Sequence, residues 1–282
     1  MRNTQTKFPL HGWTGLTLVL IFWYLNWNLS GLRTHLLFFP LWLGYALTVD
    51  ALVFRRKGNS LLSRSLKKYT SLFFISAPAW WLFELLNTRT QNWFYDGKQF
   101  FSDWEYAIYA TFSFSTVIPA VFGTAEFAST FTLIKKLKFN KKINPTKSFL
   151  LAHFLIGLLI LAIVMIFPKI FFSLIWVTVF LIVEPVNVWL GNNSIYTYLK
   201  KGEWTPVVSL IIGCLICGFF WEFWNYYSYP KWSYDIHFVN FLHIFEMPIL
   251  GYLGYIPFSL ELFTIYHLIT AKRNNYIDLS DN

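Results

Sequence analysis

Charge is what this sequence has least of. Only 13% of its 282 residues are charged, about half the roughly 25% of a soluble globular chain. With 56% hydrophobic residues and a mean hydropathy of +0.45, that scarcity excludes a soluble enzyme, a nucleic-acid binder and a disordered chain. Cysteine is nearly absent as well. Cys214 and Cys217 form a single CxxC inside the apolar run 210–220. Without a second pair, neither a zinc site nor a redox centre is expected, and two small packed thiols are the simpler reading. Histidine is thin and scattered, so no metal is expected and no cofactor is indicated.

What is abundant is apolar sequence in lengths that match a bilayer, about 20 residues per crossing. The pattern predicts an all-α polytopic membrane protein with spans near 13–29, 36–54, 70–87, 105–134, 148–167, 170–190, 206–227 and 238–270. The fourth and eighth are too long for one straight crossing, and each holds proline (Pro119; Pro248 and Pro257), so kinked or broken helices are expected there. The start of the chain superficially resembles a signal peptide. Trp23, Tyr24 and Trp27 fill the place of a cleavage site, so a retained first span is expected.

Basic residues give an independent check on orientation. If the first segment is cytoplasmic, alternate segments carry 18 lysines and arginines on the inside against 5 outside. Positive-inside topology therefore explains the net charge of +9 and places both termini in the cytoplasm.

The two halves repeat. Asp50, Glu84-x-x-Asn87, Trp93-x-Tyr95-Asp96, Pro119 and Glu126 recur as Glu184, Glu222-x-x-Asn225, Trp232-x-Tyr234-Asp235, Pro248 and Glu261, at offsets of 134, 138, 139, 129 and 135. Five ordered matches predict a tandem duplication, with four-helix repeats over 1–140 and 141–282 forming one membrane domain. An even number of spans per repeat makes them parallel, related by an axis along the membrane normal.

Each intramembrane acid costs about 2.5–3.5 kcal/mol at the centre of a span, so each needs a reason. Asp50, Glu126, Glu184 and Glu261 fall near the inner boundary, beside lysine-rich loops, and a structural role is expected for them. Glu84 and Glu222 fall one turn below the outer ends of spans 3 and 7, with Asn87 and Asn225 placed to donate to them. Glu246 has no counterpart and follows His243 by three residues, on the same face of the eighth span. Aromatic residues, 14 Trp, 16 Tyr and 31 Phe, exceed what interfacial belts need. Those near the outer acids could wall a cation. The candidate catalytic set is Glu222, Glu246, His243 and Asn225 with Glu84 in support. The candidate substrate-binding set is Trp93, Tyr95, Trp221, Trp232, Tyr234 and Asn87.

Arg33-Thr34 with the run 38–45, Phe83–Asn87, Asn92–Asp96 and Phe245-Glu246-Met247-Pro248 resemble strings in a group of bacterial multi-pass membrane proteins with no assigned activity. That resemblance implies the bacterial inner (cytoplasmic) membrane. More distantly, the plan is similar to the small-domain lycopene cyclases, in which paired acids protonate an isoprenoid chain. Their Pro-x-Glu-Glu pattern is missing here, and Glu184-Pro185 has the reverse order, so no catalytic residue carries over. Three readings stay open: an enzyme acting on a lipid or isoprenoid by acid–base chemistry, a transporter or lipid translocator with a site between the repeats, and a structural or assembly protein. In the first two, the partner is a membrane lipid or other hydrophobic small molecule. The oligomeric state is not legible.

Overall fold

The computed structural model describes residues 7–32, 34–135, 141–271, 276–277 and 279. Arg2, Arg33, Lys136, Lys138, Lys272 and Arg273, all part of the charge count, lie outside the described residues. Helices dominate, and six stretches are long and apolar enough to cross a membrane: His35–Lys57, Asp103–Ser129, Lys147–Ile166, Pro168–Leu190, Thr205–Tyr226 and Ile249–Thr270. The chain is an all-α integral membrane protein.

The first half comprises α1 (Leu10–Asn28), α2 (Thr34–Lys57), the short α3 (Leu61–Arg64), α4 (Leu66–Thr90), a strand β1 (Trp93–Asp96), α5 (Asp103–Phe114), α6 (Val117–Ser129) and α7 (Thr132–Lys135). Helix α1 lies along α2, and glycine permits the approach: a Cβ on Gly15 would stand 2.7 Å from the Gly44 carbonyl oxygen. The expected break in the fourth span falls at Ser115–Thr116, between α5 and α6. Pro119 lacks an N–H and clashes with the carbonyl four residues back. The Ser76 hydroxyl of α4 repairs the gap, donating to the Phe114 carbonyl at 2.5 Å and accepting from the Ile118 amide at 3.0 Å.

The second half comprises α8 (Lys147–Ile166), α9 (Pro168–Phe171), α10 (Ile175–Leu190), α11 (Ile195–Leu199), α12 (Thr205–Tyr226), β2 (Lys231–Tyr234), β3 (His243–Ile244), β4 (Met247–Pro248) and α13 (Tyr255–Thr270). Helix α8 packs on α10, and α12 crosses α6 where Gly213 meets Ala125 so closely that a Cβ would lie 2.5 Å from its amide nitrogen. Cys214 and Cys217 are free thiols buried at this crossing.

The expected eighth helix over 238–270 is corrected. Residues 243–248 form a tight β3–β4 hairpin, Ile249–Gly254 is a 3₁₀ turn, and α13 begins only at Tyr255. Phe238, Leu242 and Phe245 have positive φ (70°, 51° and 60°), which no helix accommodates. Pro248 withholds the donor a helix would need.

The inner acids are used locally. Asp50 accepts from the Ser60 hydroxyl (2.7 Å) and the Leu62 amide (2.9 Å), and lies 3.1 Å from His11. Glu184 accepts from the Tyr196 amide at 3.1 Å. Ser60 and Ser194 each close a capping box on the short helix that follows. Glu126 takes a bidentate pair from Arg64 (2.7 and 2.8 Å) and a bond from Lys57. Glu261 instead accepts from the Val179 amide at 3.1 Å.

Candidate functional site

The two Trp-x-Tyr-Asp strings meet each other. β1 and β2 pair antiparallel, with Trp93 opposite Tyr234, Phe94 opposite Ser233, Tyr95 opposite Trp232 and Asp96 opposite Lys231. Side chains directly opposite in an antiparallel pair share a face, and alternate residues of one strand do too. Trp93, Tyr95, Trp232 and Tyr234 therefore form one aromatic face of a two-stranded ribbon. A two-fold rotation about the Phe94–Ser233 pair exchanges Trp93–Tyr234 with Tyr95–Trp232.

That face receives both outer carboxylates. Glu84 Oε1 accepts from Trp93 Nε1 (3.0 Å), the Tyr95 hydroxyl (2.5 Å) and Trp80 Nε1 (2.9 Å). Glu222 Oε1 accepts from Trp232 Nε1 (3.4 Å), the Tyr234 hydroxyl (2.6 Å) and the Tyr255 hydroxyl (2.9 Å). The Trp and Tyr donors are equivalent, and the third donor differs. Burial, and after it the neighbouring carboxylate, pushes the Tyr95 and Tyr234 hydroxyls well above the ordinary phenol range, so both remain proton donors. Glu222 is fully buried, and among the described residues its Oε2 finds no hydrogen-bond partner.

The asparagines do something other than expected. Asn87 and Asn225 do not donate to the carboxylates. Asn87 Nδ2 donates to the Trp93 carbonyl (2.8 Å) and its Oδ1 accepts from the Asn92 amide (2.9 Å). Asn225 Nδ2 donates to the Trp232 carbonyl (2.7 Å) and its Oδ1 accepts from the Trp232 amide (2.9 Å). In each Glu-x-x-Asn string the acid holds the strand's side chains while the amide, one turn on, holds its backbone.

Against the ribbon's aromatic face lies a cavity of about 640 Å³, within the range of ligand-binding pockets. Trp93, Tyr95, Trp221, Trp232, Tyr234 and Glu222 line it, all singled out from sequence. Glu84, Asn87, Asn225, His243 and Glu246 are not among the lining residues. The expected His243–Glu246 pair does not form, because the segment is a hairpin rather than a helix. His243 is exposed and bonded to Asn240 Oδ1 at 2.8 Å, while Glu246, at the hairpin turn, is ion-paired with Lys231.

Several lining residues escaped sequence reasoning. Trp176 stacks on Trp93 (centroids 5.6 Å apart, planes 30°) and on Phe83 (5.6 Å, 20°). Tyr255 donates to Glu222, and its ring lies against Gly218, where a Cβ would stand 2.5 Å away. Lys98 and Lys231 complete the lining with charge. Among the described residues, no group of three or more His, Cys, Asp or Glu side chains is placed to hold a metal ion. Comparison with protein families, with curated proteins and with solved structures finds no match.

Proposed function

We propose that this chain is a membrane-embedded enzyme of the bacterial inner membrane, acting on a lipid or isoprenoid held in the cavity by Glu222. In this reading it crosses the bilayer eight times, as two parallel four-helix repeats with both termini cytoplasmic. Matched contacts support the duplication: Glu84 and Glu222 on equivalent Trp and Tyr donors, Asn87 and Asn225 on equivalent carbonyls, Asp50 and Glu184 on equivalent amides.

One observation carries the choice of an enzyme. Of two nearly equivalent carboxylates, the cavity is lined by Glu222 and not by Glu84, so the second repeat is the specialised one. Three donors fix Glu222 Oε1, which leaves Oε2 to carry a proton. Transfer of that proton to one carbon of a double bond leaves a cation on the other, and return of a proton to Oε2 from the next carbon beyond that cation shifts the double bond without a co-reactant. The positive charge between the two transfers would lie among indole and phenol faces, each worth about 0.5–2 kcal/mol to a cation.

The test is organic extraction of the purified protein followed by mass spectrometry. Wild type is expected to carry an apolar molecule in two isomeric forms, Glu222→Gln the unconverted form alone, and Glu84→Gln both. Equal effects of the two substitutions would favour a symmetric transporter instead. No bound apolar molecule in any of the three would remove the ligand site altogether.

A further inference from the structure

The cavity is polarised. Among the described residues, its charged lining residues apart from Glu222 are Lys98 and Lys231, and the fold brings these to one end of the ribbon. Lys231 is the first residue of β2 and stands opposite Asp96; Lys98 follows Asp96 by two residues. Gly97 between them lies against Pro230, at a φ of 94° that a side chain would strain. Lys98 holds its Nζ 4.4 Å over the ring of Tyr106, another lining residue. Among the described residues, no carboxylate lies within ion-pair distance of Lys98, whereas Lys231 is neutralised by Glu246. Part of the cavity's rim is the reverse in character. Phe238 (76% exposed), Leu253 (57%) and Leu250 (43%) line the cavity and also face outward. In water such a rim would be an unprotected apolar patch; in a bilayer it is a lipid-facing mouth.

Resting on the reading of the cavity as a ligand site, we infer that its ligand is a membrane amphiphile with an anionic, phosphate-type headgroup. Lys98 and Lys231 take the headgroup at the ribbon's end, and the chain crosses the Phe238–Leu250–Leu253 rim to reach the aromatic walls. A phosphate accepts from two ammonium groups at once. Its arrival replaces Glu246 as the partner of Lys231, so Glu246 competes with the ligand. The apolar rim and walls do not themselves recognise a free anion.

Native mass spectrometry of the full chain in an uncharged maltoside detergent tests this with three added probes: dodecyl phosphate, 1-dodecanol and inorganic phosphate. Dodecyl phosphate is expected to bind one to one, at least about tenfold tighter than dodecanol, as one charge-assisted hydrogen bond would give. Lys98→Gln, at an exposed position, should weaken dodecyl phosphate about tenfold and leave dodecanol unchanged. Glu246→Gln should tighten dodecyl phosphate. Equal binding of dodecyl phosphate to wild type, Lys98→Gln and a Lys98→Gln/Lys231→Gln variant overturns the headgroup assignment, and persistent dodecanol binding then leaves the cavity reading intact. Inorganic phosphate bound as tightly as dodecyl phosphate overturns the amphiphile. Failure of both chain-bearing probes overturns the cavity reading along with it.

Discussion

Two tyrosine hydroxyls, Tyr95 at 2.5 Å from Glu84 and Tyr234 at 2.6 Å from Glu222, decide how the outer acids behave. Both hydroxyls are held well above the ordinary value of 10.0 by burial and then by the carboxylate each serves. In the unfolded chain they would ionise near pH 10. Above that pH the folded state binds more protons than the unfolded one, so stability falls as pH rises, while below it the contribution is fully present. Each tyrosine steepens the fall by up to about 1.4 kcal/mol per pH unit. Thermal melts between pH 8 and 12 should show a flat region followed by an alkaline decline. Tyr234→Phe should make that decline shallower, though it lowers stability at pH 8 through the lost hydrogen bond. An unchanged alkaline slope would mean that Tyr234 ionises freely in the folded protein. Trp93, Tyr95, Trp232 and Tyr234 stood out in the sequence as repeated aromatics beside the outer acids, whereas Trp80 and Tyr255, the third donors, did not. Nor was the atom each donor serves legible: asparagine one turn from glutamate suggests an amide–carboxylate bond, and only the returning strand shows that the amide is taken by backbone.

At the scale of elements, the ribbon depends on that asparagine clamp. Asn87 and Asn225 each satisfy one carbonyl and one amide at the start of a strand or just before it. A two-stranded ribbon is marginal on its own. Asn225→Ala leaves two backbone groups without their partners, at about 1–3 kcal/mol. Hydrogen exchange should accelerate over 231–234 and, because the strands are paired, over 93–96 too. Asn87→Ala should give the same pattern with the strands interchanged. Acceleration confined to the mutated strand would show that pairing does not couple them. The long helices other than the last were close to legible, since bilayer-length apolar runs end at charge or proline: 206–227 was expected and α12 spans Thr205–Tyr226. The ribbon was not, because its strands lie 139 residues apart by the repeat offset and neither is long enough to announce itself. Their one local signal is the alternation of Trp93 with Tyr95 and of Trp232 with Tyr234, a period of two that would mark a strand. The run 238–254 misled for the opposite reason. It is apolar enough for a span, but positive φ at Phe238, Leu242 and Phe245 depends on tertiary contacts that composition does not encode.

At the scale of the whole molecule, the ribbon and the Ser60 and Ser194 capping boxes occupy opposite ends of the bundle, and the proposed topology says which end faces the cell interior. Ser60 and Ser194, with their short helices, fall in the lysine-rich segments, and the aromatic ribbon falls in the sparse ones. If basic residues are retained on the cytoplasmic side, the cavity opens toward the outer leaflet. The native cysteines give a clean background for testing this, since Cys214 and Cys217 are both fully buried and should resist a membrane-impermeant maleimide. Phe94 is 45% exposed on the face of the ribbon turned from the cavity, and Lys200 is exposed beyond α11. In cells with a permeabilised outer membrane and an intact inner one, Phe94→Cys should be labelled and Lys200→Cys should not. Disrupting the inner membrane should then expose Lys200→Cys. The reverse order would put the cavity at the cytoplasmic leaflet. It would leave the ribbon, the clamp and the Glu222 network as they stand, but the amphiphile would then have to be sought on the inner side.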